Sequence, residues 1–310
     1  MASSNPAFNN PAFQDPRAVK SYPGGPQAAN LGATTQYATT SQAGLDAATQ
    51  ARLEGAFVAP SANAIDTGRM TVEDTVLKTV GLFAVLLVSA AVGWFWTLGG
   101  EVDPLRAQTV SSLPYWIGAI GGLVMAMVVI FGSRKKIRPA LIFGYALFEG
   151  LFVGGISAFF EIQWPGIVVQ ATIATLSVVG VTLALFASGK VRASKRATKV
   201  FMIAMIGYLV FGLINVVMMM FGAFSGPDSA GPFGIYSQQV FGIPLGLIIG
   251  VLVVIMAAYS LVLDFDSIQQ GVRNGAPRQF GWLGGFGIMV TVVWLYIEIL
   301  RILAILRGSN

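Results

Sequence analysis

The 310-residue chain contains no cysteine and no histidine. Their absence excludes disulfides, thiolate nucleophiles, thioredoxin-like redox chemistry, Cys/His zinc sites and the usual general base. Charge is also scarce. Asp, Glu, Lys and Arg make up 11% of the residues, against roughly 25% in an ordinary soluble domain. So few charges cannot coat a globule in water, and the chain is 55% hydrophobic with a mean hydropathy of +0.72. A soluble enzyme is excluded. The net charge of +5 does not point to nucleic acid, because the basic clusters fall at the ends of apolar runs and lack interleaved aromatics.

Residues 1 to about 70 form a different polymer from the rest, rich in Ala, Asn, Gln, Ser, Thr, Pro and Gly. Low hydrophobicity and helix-breaking prolines predict a disordered polar tail, and no apolar run there is long enough for a signal peptide. A short direct repeat, Asn5-Pro6-Ala7-Phe8 and Asn10-Pro11-Ala12-Phe13, gives a sharper alternative in which the tail docks on a protein partner. A short helix between Ala47 and Phe57 has weak support.

From residue 71 to 310 the chain is expected to form one transmembrane domain. Seven apolar runs stand out: Leu77–Leu98, Leu113–Gly132, Pro139–Phe160, Gly166–Ser188, Val200–Gly222, Ile243–Leu263 and Phe280–Leu306. About twenty helical residues at about 1.5 Å each span the roughly 30 Å of hydrocarbon. The runs are continuously apolar rather than alternating, so helices and not a barrel satisfy the backbone. Eleven cations lie between spans two and three, four and five, and six and seven, including Arg134, Arg138, Lys190, Arg192 and Arg278. The opposite loops carry one, Arg106, beside Glu101, Asp103, Glu161 and Asp228. The positive-inside rule then makes the tail cytoplasmic and puts the C-terminus outside, with Arg301 and Arg307 opposing that placement of the last span.

Few ionisable groups remain inside the spans. Lys78 sits at the mouth of the first and is expected to snorkel to the headgroups. The others are functional-site candidates, because a charge at the bilayer centre costs about 2.5–3.5 kcal/mol. Glu149 lies near the middle of the third span, among glycines at 144, 150, 154 and 155 that let another helix approach. It is either a neutral packing group or a proton or cation site. Asp264 and Asp266 follow the sixth apolar run and point about 200° apart, so one faces the bundle and the other water. Asp264 is the better interior candidate, with the end of a helix as the plain alternative. Glu298 lies inside the seventh span with Arg301 one turn on, placed for an intrahelical pair.

Two stretches carry a resemblance. Asp264-Phe-Asp-Ser-Ile-Gln269 and Trp294-Leu-Tyr-Ile-Glu298-Ile-Leu-Arg301 resemble the acidic D-x-x-x-I end of the sixth helix and the L-Y-L-D/E core of the last helix in the Bax inhibitor (transmembrane Bax-inhibitor motif) family. The resemblance covers about residues 70–307 and is closest to bacterial members with a polar N-terminal extension, which implies a bacterial plasma membrane. It implies an all-α bundle of seven transmembrane helices with the last helix central. It also implies a pH-sensitive calcium or other cation leak, not an enzyme, in which Asp264 and Glu298 share a proton. Glutamate stands where the family usually has aspartate. The resemblance further implies an arginine latch on Asp264, for which Arg134 and Arg138 are both candidates, while Asp266 and Glu149 are supporting carboxylates.

The chemistry stands beside the resemblance. Two buried carboxylates close together hold one proton between them and titrate in coupled steps. Ionised, they are hard oxygen ligands, too few for tight calcium binding but enough for a weak cation path. No other cofactor is expected, and the partners expected are the bilayer and cations. Competing readings are a non-conducting membrane scaffold and an intramembrane aspartyl protease, although Gly284-Gly-Phe-Gly-Ile288 lacks the acid of a G-x-G-D motif.

The charge asymmetry generates a topology prediction. A Ser194→Cys reporter, in a chain free of native thiols, should resist an impermeant thiol reagent added outside intact cells and react after permeabilisation. Labelling before permeabilisation would reverse the orientation.

Overall fold

The computed structural model describes residues 68–134, 136–222 and 233–308. The tail, its Asn-Pro-Ala-Phe repeat and the expected Ala47–Phe57 helix lie outside the described residues. Among the described residues, seven helices are long and apolar enough to cross a membrane: α1 (Val72–Thr97), α2 (Leu113–Gly132), α3 (Pro139–Gln163), α4 (Ile167–Ala187), α5 (Lys195–Met220), α6 (Leu245–Arg273) and α7 (Phe280–Gly308). A short hairpin, β1 (Gln239–Val240) with β2 (Ile243–Pro244), precedes α6.

Local chemistry sets the helix starts. Thr71 caps α1, its Oγ1 accepting from the Asp74 amide at 3.1 Å, and Glu73 and Asp74 in the first turn complement the helix dipole. Pro114 and Pro139 open α2 and α3 at positions where an amide N–H has no helical partner anyway. Ser194 caps α5, accepting from the Ala197 amide at 3.2 Å.

Helices α1, α5 and α6 reach further than the apolar runs suggest, α5 starting at Lys195 rather than Val200. Helix α1 starts at Val72, because its cap and its acidic first turn lie before the hydrophobic stretch. Helix α6 continues to Arg273, well past Leu263. Asp264 therefore does not end the helix. Ile268 and Gly271 beyond it are buried, and packing of that last stretch keeps it helical.

Helix α7 is the axle of the bundle. It packs against α6, α1, α4 and α3. Near its start Phe280, Leu283, Phe286 and Met289 meet Leu82 and Leu86 of α1, Ile142 of α3 and Ile268 of α6. Near its end Leu295, Ile299 and Leu300 meet Ala257 and Leu261 of α6 and Ile167 and Ala171 of α4. Helix α5 is the outermost, burying only Phe201 and Asn215.

Helices α1, α2 and α3 approach so closely that side chains are excluded at the crossings. A Cβ at Gly93 would sit 2.7 Å from the Leu151 carbonyl oxygen, and one at Gly155 would sit 2.8 Å from the Tyr115 amide nitrogen. In lipid, where tails are as apolar as the helices, this close backbone packing supplies the association energy. Gly93→Val should therefore destabilise the bundle by about 1–3 kcal/mol, read as a lower melting temperature in detergent. Gly180→Val, where a Cβ would meet nothing within 4 Å, should melt like the parent.

Candidate functional site

Asp264 is completely buried, at 0% exposure, on the α6–α7 seam. Thr291 of α7 donates its hydroxyl to Asp264 Oδ2 at 2.6 Å. Because α6 runs on to Arg273, Asp264 lies about 13.5 Å inside the helix end, too deep for water to solvate it from the helix terminus. Asp266 points elsewhere. It is half-buried and accepts from Gln270 Nε2 at 2.7 Å, one turn along the same helix.

Glu298 is 3% exposed and sits on α7 opposite Gly250 of α6, where a Cβ would come 3.5 Å from Glu298 Oε1. Tyr208 of α5 donates to Glu298 Oε2 at 3.0 Å, and the Arg301 guanidinium pairs with Oε1 from one turn further on. The guanidinium carbon lies 3.9 Å from the centre of the Tyr236 ring. This stacking offsets part of the desolvation of a buried cation. Among the described residues, Arg301 Nε is buried without a hydrogen-bond partner.

Thr291 and Glu298 are seven residues apart on α7. They share a face and are separated by about 10.5 Å of helix rise. Two carboxylate stations therefore line one face of the central helix, each holding partners of its own: Thr291 on Asp264, Tyr208 and Arg301 on Glu298. Among the described residues, no three Asp or Glu side chains come together as a metal site.

A family model described as Bax inhibitor 1 like matches residues 5–308. The chain belongs to the Bax inhibitor 1 like family. No curated protein and no solved structure matches it. Family membership and the seven apolar helices together make it an integral membrane protein.

In this Bax inhibitor 1 like protein the two candidate latch arginines lie at the surface. Arg134 is exposed beside the Phe131 ring at 5.7 Å, and Arg138 is exposed at the start of α3. Glu149 is half-buried on α3, one turn after Tyr145. It faces α2 at Gly122, where a Cβ would sit 2.9 Å from Glu149 Oε2. Arg307, at the far end of α7, is held by the Pro165 carbonyl at 2.8 Å and Gln170 Oε1 at 2.9 Å.

Lys78 does not snorkel. It is buried, paired with Asp74, donating to the Arg278 carbonyl at 2.7 Å and lying 5.5 Å from the Trp282 ring centre. Arg278 completes the cluster, its Nη2 2.8 Å and its Nε 3.0 Å from Asp74 Oδ1. The backbone reinforces it, with Met70 N donating to the Ala276 carbonyl at 2.7 Å and Arg278 N to the Gly68 carbonyl at 2.8 Å. The chain entering α1 is thereby fastened to the α6–α7 turn. The one local signal was the spacing of Asp74 and Lys78, four residues apart on one helix face. Arg278 is too distant in sequence to be read as their partner.

Breaking such a buried pair leaves a charge uncompensated. Asp74→Ala, which leaves the buried Lys78 without its carboxylate, should cost about 3–5 kcal/mol of stability, measured as a large fall in melting temperature of the purified protein. Lys195→Ala, at an exposed helix start, should stay within about 0.5 kcal/mol of the parent.

Proposed function

We propose that this protein is a pH-sensitive cation leak of a bacterial plasma membrane, with calcium among its permeant ions and its N-terminus cytoplasmic. The observation that carries this reading is the pair of buried carboxylates, Asp264 of α6 held by Thr291 and Glu298 of α7, at successive stations along the α6–α7 seam. Ionised carboxylates are the hard oxygen ligands that calcium prefers, and two of them are enough to pass the ion without storing it. Protons compete for the same oxygens. With no histidine in the chain, buried carboxylates are the side chains whose charge can change between about pH 5 and pH 8.

The mechanism follows from the separation of the stations. With the carboxyls held apart by Thr291 and by the Tyr208–Arg301 pair, the path is closed. On opening, the carboxyls approach each other and share one proton, because two charges side by side in a dry seam are costly. Arg301 pairs with Glu298 within α7. The positive-inside rule supports the orientation, and the family resemblance supports cation flux. A second reading, a non-conducting scaffold, is supported by the closed partners of Glu298: a charge already neutralised within its own helix needs no ion.

Calcium flux into proteoliposomes, measured from about pH 6 to about pH 8, separates the two. Asp264→Asn and Glu298→Gln should each abolish the same pH step, and the double variant should add little to either. Arg301→Leu should move the step upward by about one pH unit or more, since a neighbouring cation lowers a carboxyl's pKa. An unchanged pH midpoint in both single variants would leave the scaffold reading.

A further inference from the structure

Segment 233–237, built around the 3-10 turn Gly234–Ser237, packs into the end of the bundle where α5 and α7 finish and α6 begins. Tyr236 is 5% exposed, although it belongs to a connection between two spanning helices. Its ring centre is 3.9 Å from the Arg301 guanidinium carbon, which is van der Waals contact, so no water fits between them. Phe211 of α5 meets the same ring edge-on at 5.1 Å. The start of α6 is fitted to the segment, because a Cβ at Gly246 would come 2.8 Å from the Tyr236 carbonyl oxygen. Phe233 stacks on Trp164, just past the end of α3, at 6.5 Å.

Asn215 anchors the segment. It is a buried amide in an otherwise apolar stretch of α5, where an amide left unbonded is costly. Both its ends go to the backbone of the segment: Nδ2 donates to the Phe233 carbonyl at 3.3 Å, and Oδ1 accepts from the Ile235 amide at 2.7 Å. Gly234, between those two residues, has φ +61°, and a Cβ there would sit 2.5 Å from Asn215 Oδ1. Glycine is what lets the amide close on the turn. Tyr208, Phe211 and Asn215 fall at i, i+3 and i+7 of α5, on one helix face. They meet Glu298, the Tyr236 ring and the backbone of the segment in turn. One stripe of α5 therefore holds both the Glu298–Arg301 pair and the segment that covers it.

We propose that segment 233–237 is a plug, in which Tyr236 seals the Glu298–Arg301 pair from water at that end of the bundle and Asn215 is the positioning residue that seats it. Seating closes the Glu298 station, and withdrawal opens it. The ring takes the place of water on the guanidinium face, through a cation–π attraction that is strongest where the cation is desolvated. The seal stands on this packing alone, whereas its control of flux rests on the cation-leak reading above.

The test is arginine modification of the full-length protein in lipid nanodiscs by p-hydroxyphenylglyoxal, a water-soluble dicarbonyl that condenses with guanidinium groups, mapped by mass spectrometry. Arg106, whose side chain is 80% exposed against 13% for Arg301, is the internal standard. In the parent Arg106 should react and Arg301 should not. Tyr236→Ala should raise Arg301 modification about tenfold, the scale of a lost desolvated cation–π contact, and Tyr236→Phe, which keeps the ring, should not. Asn215→Leu and Gly234→Ala leave Tyr236 in place, yet each should expose Arg301 and speed hydrogen exchange across 233–237, with exchange in α1–α3 unchanged. In proteoliposomes the same three exposing variants should raise calcium flux several-fold over the parent. Arg301 that reacts in the parent as readily as Arg106, or that stays protected in both Tyr236→Ala and Asn215→Leu, would overturn the plug. Exposure of Arg301 with no rise above a measurable parent flux would overturn its control of flux. Exposure in a protein that passes no calcium in any variant would uphold the seal and count against the leak reading alone.

Discussion

A helix enclosed by other helices in a bilayer has no water to fall back on, and that constraint governs α7. Every polar group on it must be satisfied by a neighbour or be left at a cost of several kcal/mol. Thr291 answers Asp264 across the seam, and Glu298 is answered by Tyr208 and Arg301. Tyr296 meets Ser157 and Arg307 meets the Pro165 carbonyl, and the rest of α7, mostly apolar or glycine, carries both halves of the core. The same requirement explains the far end of the molecule, where Asp74, Lys78 and Arg278 neutralise one another beside the α6–α7 turn.

The bundle divides unevenly around this axle. Helices α1 to α3 are joined by backbone contact at glycines and form its tightest part. Helix α5 is held mostly by polar contacts along one stripe: Thr198 to Tyr259 at 3.0 Å, Tyr208 to Glu298 and Asn215 to the Ile235 amide at 2.7 Å. Its other faces are exposed hydrophobic residues. Glu298 therefore depends on the most loosely packed helix for one of its partners, which couples the ionisation of that station to the position of α5.

The seven spans were legible because hydropathy over about twenty residues is a strong signal. Their polar ends were harder. A carboxylate after an apolar run looks like a terminus, which was the plain alternative for Asp264; α6 continues because burial of Ile268 and Gly271 keeps its last stretch helical. The roughly 200° between Asp264 and Asp266 did separate an interior position from a peripheral one, since that rests on helix geometry alone. Lys78 was expected to snorkel, because its partner Arg278 comes from a turn two hundred residues on and local spacing carries no trace of it. Tyr208 and Thr291 were not singled out at all. A hydroxyl within an apolar helix gives no sign of whether it bonds its own backbone or a buried acid.

The central claim is that Asp264 of α6 and Glu298 of α7 are linked protonation sites along the seam between the two helices. Infrared difference spectroscopy on membranes stepped from about pH 8 to about pH 6 reads carboxyl protonation directly, without requiring flux. The account predicts a protonated-carboxyl band that appears on acidification in the parent and is lost in both Asp264→Asn and Glu298→Gln. A band that persists unchanged in both variants would contradict it.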